Sequence, residues 1–355
     1  LRILNYNVVV IFNVITNPNL SYTIMKRRQF IGNSAKAGVG LSIMGIYACK
    51  NTNKKEEKEE ETAVEAAVEP FFKLSLAQWS INKMIRNDGV DPYTFAEKAK
   101  AWGFEGLEYV SGLYYPLLEK DNFSEAAMKE FVDRSNAESQ KHGLTNLLIM
   151  IDGQGNLAAE ESTERTAAVE NHHKWVDAAA AMGCHSIRVN LNGSTDPEVW
   201  KEASIDGLTQ LASYAKDKNI NIIVENHGGP SSNAAWLAEI MKEVNMANCG
   251  TLPDFGNFCM KREDGSYYES KCIEEYDKYK GVKELMPYAK AVSAKSYDFD
   301  EEGNETTIDY VRMLKIVKDA GYTGYIGVEY EGNELGEKEG ILATKNLLIN
   351  AAKKI

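Results

Sequence analysis

The chain has 355 residues, 44% hydrophobic and 26% charged, which suits a globular protein of one large or two smaller domains. A net charge of −12 and a pI near 5.1, with no basic stripe, argue against a nucleic-acid partner and for solubility. The five cysteines (49, 184, 249, 259 and 272) lack CxxC or zinc-ligand spacing, and nothing in that spacing asks for a disulfide.

Residues 1–24 read as an over-extended start ahead of Met25. Lys26, Arg27 and Arg28 then form a charged segment, and with Phe30 and Ile31 make a twin-arginine-like pattern. The weakly apolar run from Ala35 to Ala48 is too short and glycine-rich to span a bilayer. It ends in "IYAC", which resembles a lipobox with Cys49 as the lipidated residue, although Tyr47 is an unusual occupant. Residues 25–49 therefore read as a twin-arginine/lipoprotein-like signal. The expectation is an exported, periplasmic protein with a lipid anchor at Cys49; a plain cleaved signal or a disordered basic tail is the alternative. Residues 50–70, "KNTNKKEEKEEETAVEAAVEP", are charge-dense and cannot bury a core, so they read as a disordered tether. The folded domain is expected over residues 71–355.

From Lys73 onward, short apolar runs alternate with long amphipathic ones. The predicted strands are 73–79, 106–110, 145–151, 186–191, 221–226, 250–255, 291–296 and 325–330. Helical patterns separate them. Asp91 with Pro92 starts one, Gly183 closes another, and "GLTQLASYAKDKN" and "TIDYVRMLKIVKDAG" follow the same scheme. Eight alternating units in about 285 residues predict a single (β/α)8 barrel. A doubly wound open sheet is the alternative, against which stands the lack of G-x-G-x-x-G after the first strand. Cys184 and Cys249, each at the start of a strand, read as buried thiols.

Chemistry in such a barrel belongs at the carboxyl ends of the strands. There the sequence places Arg188 and Asn190, Glu225 and His227, Asp254, Ser293 and Lys295, and Glu329 and Glu331. Residues two apart on a strand share a face, so these should converge on one mouth. Three carboxylates crowded in a low-dielectric mouth repel each other. A divalent cation such as Mg²⁺, Mn²⁺ or Ca²⁺ would relieve that repulsion. The alternative is a metal-free ion network in which Lys295 and Arg188 neutralise the carboxylates.

The motifs "GFEGLEYV", "GCHSIRVN", "INIIVENHGG", "TLPDFGNF" and "GYIGVEYEG", in this order and spacing, resemble the sugar phosphate isomerase/epimerase family with the xylose isomerase-like TIM barrel. The resemblance runs from about residue 73 to 353. It implies that Glu225, Asp254 and Glu329 bind a divalent metal, Mn, Mg or similar, and that Glu225 and Glu329 move the proton. It implies a strand-seven His as fourth ligand, but Ser293 stands there. Lys295 matches the family lysine, and Asn257 replaces a substrate-binding His. A serine hydroxyl or a water can complete a hard-cation shell, and His227 is an alternative ligand.

The expected function is metal-assisted proton abstraction next to a sugar carbonyl, isomerising or epimerising a small-molecule, unphosphorylated sugar. Elimination from a 3-keto-glycoside uses the same parts. A non-catalytic sugar-binding protein on the same scaffold is the alternative from another class. Arg188, Asn190, His227, Asn257, Lys295 and Glu331 are expected to bind substrate. Trp79 and Glu108 are expected to line the mouth, Glu108 pairing with Arg188 or touching substrate. The glycine pair 228–229 is a weak phosphate-cradle candidate. His172 and His173 lie on a helix, and His185 at the wrong end of its strand. The loops 112–123 and 257–279 read as aromatic-bearing lids. The acidic stretch 298–307 lacks EF-hand spacing and reads as a solvated loop.

Overall fold

Strands that are apolar on both faces need cover on both faces, and a closed parallel sheet ringed by helices supplies it. The structure, a computed structural model, describes residues 69–355. The twin-arginine-like segment, Cys49 and the tether to residue 68 lie outside the described residues. Eight parallel strands form the barrel: β1 (Lys73–Ala77), β2 (Gly106–Val110), β3 (Thr145–Met150), β4 (Ser186–Val189), β5 (Asn221–Glu225), β6 (Cys249–Leu252), β9 (Val292–Ser296) and β10 (Tyr325–Tyr330). Their order is β6-β5-β4-β3-β2-β1-β10-β9. Closure between β6 and β9 is by backbone bonds: Ser293 N to Pro253 O at 3.0 Å, Phe255 N to Ser293 O at 3.1 Å, and Lys290 N to Thr251 O at 3.0 Å. The single (β/α)8 barrel is thus the fold, and the open-sheet alternative falls.

Helix starts follow local chemistry. Asp196, Asn233 and Asp309 each accept a backbone N–H of the turn they cap. The turn capped by Asp91 is a 3₁₀ turn, Pro92–Thr94, leading into the helix Phe95–Ala101. Gly183, at φ +73°, ends the run after the helix Ser162–Ala181. The first strand is shorter than expected: Gln78 turns inward, taking Val110 N–H and donating to Tyr114 Oη, so Trp79 sits in a 3₁₀ turn above β1. His172 is buried with Nδ1 against Ala168 O, and His173 stacks on Tyr214 between helices.

The loop after β6 is the main departure. Cys259–Arg262 (β7) and Cys272–Glu275 (β8) form an antiparallel hairpin. A Cys259–Cys272 disulfide joins its strands. Cysteine spacing alone gave no sign of this pair, because proximity comes from the hairpin's register. Of the two free thiols among the described residues, Cys184 is buried and Cys249 only partly so. The acidic stretch 298–307 is ordered by its own carboxylates: Asp300 accepts Glu302 N–H and Asn304 N–H, and the buried Glu305 accepts Thr307 N–H at 2.5 Å.

The barrel interior is polar. Glu108, expected at the mouth, is 1% exposed and lies inside, accepting from Ser75 Oγ at 2.6 Å, while Oε2 has no partner. It makes no ion pair with Arg188. Gly327 of β10 makes room: a Cβ there would lie 2.5 Å from both Glu108 carboxylate oxygens. Burial pushes the Glu108 carboxyl up to about 8, against the Ser75 hydrogen bond, with Glu329 and Glu225 adding to the rise.

Two expectations follow. The folded state holds the Glu108 proton to higher pH than the unfolded chain, so it loses stability as pH rises from about 4.5 to about 8, by at most roughly 1.4 kcal/mol per pH unit. Glu108→Gln should gain on wild type across that window in urea unfolding, and parallel curves would refute the burial argument. Replacing Cys259 and Cys272 by serine should speed limited proteolysis between Arg262 and Lys271 while barely moving the barrel's melting temperature, since the bond closes only a local loop.

Candidate functional site

The strand ends deliver their carboxylates to one place. Glu225 ends β5, Asp254 follows β6 and Glu329 lies on β10; all three are buried, and each offers an oxygen within 4.8 Å of the others. Ser293 Oγ sits between two of them, donating to Asp254 Oδ2 at 2.6 Å or to Glu329 Oε2 at 3.0 Å. Asp254 Oδ1 takes the backbone N–H groups of Gly256 and Asn257 at 2.9 and 2.8 Å. Asn226 locks the turn, accepting from Asp254 N–H at 2.8 Å and donating to Asp254 O and Asn257 O. Asn257 points its amide at Glu225 Oε1, 2.9 Å away, so it orients a carboxylate.

Two buried cations flank the group. Arg188 Nε lies 2.8 Å from Glu225 Oε2. Neither atom has an aligned hydrogen bond, so this contact is coulombic. Arg188 Nη1 also donates to Asp152 Oδ1 at 2.9 Å and to Asn190 Oδ1 at 3.2 Å. Lys295 Nζ lies 3.3 Å from Glu329 Oε2 and 2.9 Å from Glu331 Oε1. Burial pushes the Asp254 carboxyl up to about 8, and Glu225 and Glu329 add to the rise against the pull of Lys295. Glu329 is raised by burial as well, whereas at Glu331 burial is overcome by Lys295 together with His227 and Trp79, and the carboxyl is held low.

The mouth is lined on the β3–β5 side by Asp152, Asn190 and His227. Asn190 donates to Asp152 Oδ1 at 2.9 Å, and Arg188 holds Asp152 below the usual carboxylate range despite its partial burial. Burial, Arg188 and Lys295 push the His227 imidazole down to about 4, so it is neutral at neutral pH. Its Nδ1 meets Tyr268 Oη at 3.2 Å. Gly228 and Gly229, at φ +81° and +60°, do not form an open phosphate cradle. Tyr267 and Tyr268 of the hairpin pack where their Cβ atoms would be. On the opposite side, Trp79 and Glu331 line a cavity of about 180 Å³ with Asn82 and Lys83.

Sequence reasoning did not single out Asp152, although its signal was the same as that of Glu225: a carboxylate directly after an apolar strand. Tyr268 lay inside a loop read as a lid, but its contact with His227 depends on the hairpin.

Comparison with known proteins agrees with this architecture. A C-glycoside deglycosidase alpha subunit from Arthrobacter globiformis is 41% identical over 61 residues, 16% of this chain and 17% of that protein. An inosose dehydratase from Geobacillus thermodenitrificans is 27% identical over 146 residues, 38% of this chain and 48% of that protein. The chain thus spans less than half the length of these relatives. Among solved structures, an IolI protein with a binding zinc atom superposes with TM-score 0.60 at 17% identity, covering 80% of this chain and 99% of that one. The 3-keto-D-glucoside 4-epimerase YcjR of E. coli superposes with TM-score 0.58 at 14% identity, covering 79% and 99%. At such identities the likeness is one of fold. The family model described as xylose isomerase-like TIM barrel matches residues 96–347, and the chain belongs to that family.

Proposed function

We propose that this protein removes the proton from the carbon next to a sugar carbonyl and returns it, isomerising or epimerising an unphosphorylated sugar. The observation that carries this reading is the convergence of Glu225, Asp254 and Glu329 at the carboxyl rim of the barrel. Their donor set fits a divalent cation: three buried carboxylates, with Glu225 Oε2 left without a hydrogen bond. When bound there, the cation would polarise the carbonyl oxygen and acidify the neighbouring C–H bond.

Glu329 serves as the base. Its hydrogen bond from Ser293 and its ion pair with Lys295 fall on Oε2, leaving Oε1 free of both, and burial raises its pKa. Glu225, oriented by Asn257 and Arg188, returns the proton. Lys295 stabilises negative charge developing on substrate oxygen. Asp152, Asn190 and neutral His227 hold hydroxyl groups on one side of the mouth, and Trp79 and Glu331 hold the other.

The deglycosidase relatives favour a second reading with the same residues. On a 3-keto-glycoside, the base takes the C2 proton, the C–H electrons form a C1=C2 bond, and the aglycone leaves C1 with a proton. An exported, lipid-anchored enzyme would meet glycosides, and the Cys259–Cys272 bond suits an oxidising compartment.

Incubation of the full chain with a 3-keto-glucoside and Mn²⁺ in D₂O tests both readings. Deuterium incorporation next to the carbonyl marks isomerisation or epimerisation, and aglycone release marks elimination, whose product no longer has a hydrogen on C2. Glu329→Gln and Glu225→Gln should each slow exchange by about 10²–10⁴-fold. Binding of the sugar with neither deuterium uptake nor aglycone release would leave a sugar-binding protein. Asp152→Asn should raise KM about tenfold with kcat little changed, as expected for lost ground-state contacts.

A further inference from the structure

The rim of the mouth changes chemistry along its circumference. Asp152, Asn190 and His227 make the β3–β5 side polar, and an aromatic ring stands beside them. Tyr268 belongs to the hairpin, between Arg262 and Cys272. Its Oη lies 3.2 Å from His227 Nδ1 and 3.4 Å from Asn192 Oδ1, so the hydroxyl is anchored at the polar wall. Its ring centre is 4.8 Å from that of His227, yet the residue is 47% exposed. The segment that carries it is fixed as well. Arg262 Nε donates to Tyr267 O at 3.0 Å, Tyr267 Oη donates to Gly193 O at 3.3 Å, and the Cys259–Cys272 bond closes the base. A tyrosine tied at its tip with an open ring offers rigid apolar surface at little cost in conformational entropy.

The opposite side is more confined. The cavity beside Trp79 and Glu331 is about 180 Å³, below the roughly 300–1,000 Å³ of pockets that enclose a drug-sized ligand. The Trp79 ring is also engaged, with the Arg86 guanidinium 5.2 Å from its centre. A bulky group attached to the sugar therefore extends over the open side, where Tyr268 stands. We propose that Tyr268 forms an aglycone subsite, and that the chain takes glycosides whose aglycone is a planar aromatic ring. The inference rests on the elimination reading above and adds the class of leaving group. Polar and aromatic surface side by side match a ligand of the same two-part character: the wall takes sugar hydroxyls, and the Tyr268 ring stacks on the aglycone. An aliphatic aglycone gains no such stacking.

The test is calorimetric titration of the full chain with phenyl and with methyl 3-keto-β-D-glucoside, both in Mn²⁺. Glu329→Gln serves as the common background because it slows turnover. The readout is the ratio of the two affinities, which cancels any effect shared by both ligands. Phenyl is expected to bind about tenfold more tightly than methyl. Adding Tyr268→Ala should bring the ratio to about two or less, while Tyr268→Phe, which keeps the ring and loses the hydroxyl, should hold it within about twofold of the background. A nuclear Overhauser contact between the phenyl protons and the Tyr268 ring is expected in the background chain, and this readout does not depend on how the alanine variant folds. Equal affinities in the background chain, a ratio that survives Tyr268→Ala, or no such contact overturns the subsite and leaves the glycoside reading standing. Failure of either glycoside to bind overturns both.

Discussion

The site depends on one electrostatic problem: carboxylates held inside a protein repel one another and lose their hydration. Among the described residues, Glu225, Asp254, Glu329, Glu331 and Asp152 are faced by two buried cations, Arg188 and Lys295. Burying that many charges is costly unless each finds a partner. The barrel distributes the partners by register. Lys295 on β9 lies directly opposite Glu329 on β10, and Arg188 on β4 reaches Glu225 at the end of neighbouring β5. Asp254 makes no ion pair with any of the described residues, and burial above all, with Glu225 and Glu329 adding to it against the pull of Lys295, drives its carboxyl up. An enclosed excess of this kind attracts a cation.

Much of this was legible in the sequence for a physical reason. Parallel strands covered on both faces read as apolar runs, and a polar residue placed just beyond such a run has to be received by something. That rule finds Glu225, Asp254 and Glu329 without any coordinates. It fails for residues placed by tertiary contact. Glu108 was expected at the mouth, but a carboxylate among apolar neighbours also fits a carboxyl inside the barrel, and the space left by Gly327, two strands away on β10, distinguishes the two. The disulfide was illegible because hairpin register, and not sequence spacing, brings Cys259 to Cys272.

The glycine pair after β5 shows how one motif supports two readings. A pair of glycines beside a strand end suggests an anion cradle. Here both residues adopt positive φ, and the space their side chains would need is taken by Tyr267 and Tyr268. The glycines therefore seat the hairpin on the rim, and the hairpin in turn fixes His227 through Tyr268 Oη. A loop that would otherwise be free to move is held at its base by the Cys259–Cys272 bond and at its tip by these contacts, which places aromatic surface beside the mouth.

The two positions where the family resemblance implies imidazole carry Ser293 and Asn257, and both do the same physical task. Each is short and uncharged, and each donates a hydrogen bond to a carboxylate of the central group. A neutral donor orders a carboxylate without neutralising it, so the negative charge stays directed into the mouth. Backbone N–H groups do the same for Asp254 Oδ1. The oxygens are thereby held in fixed positions before any ligand arrives, and the reorganisation that a flexible set of carboxylates would need on binding is already made in folding.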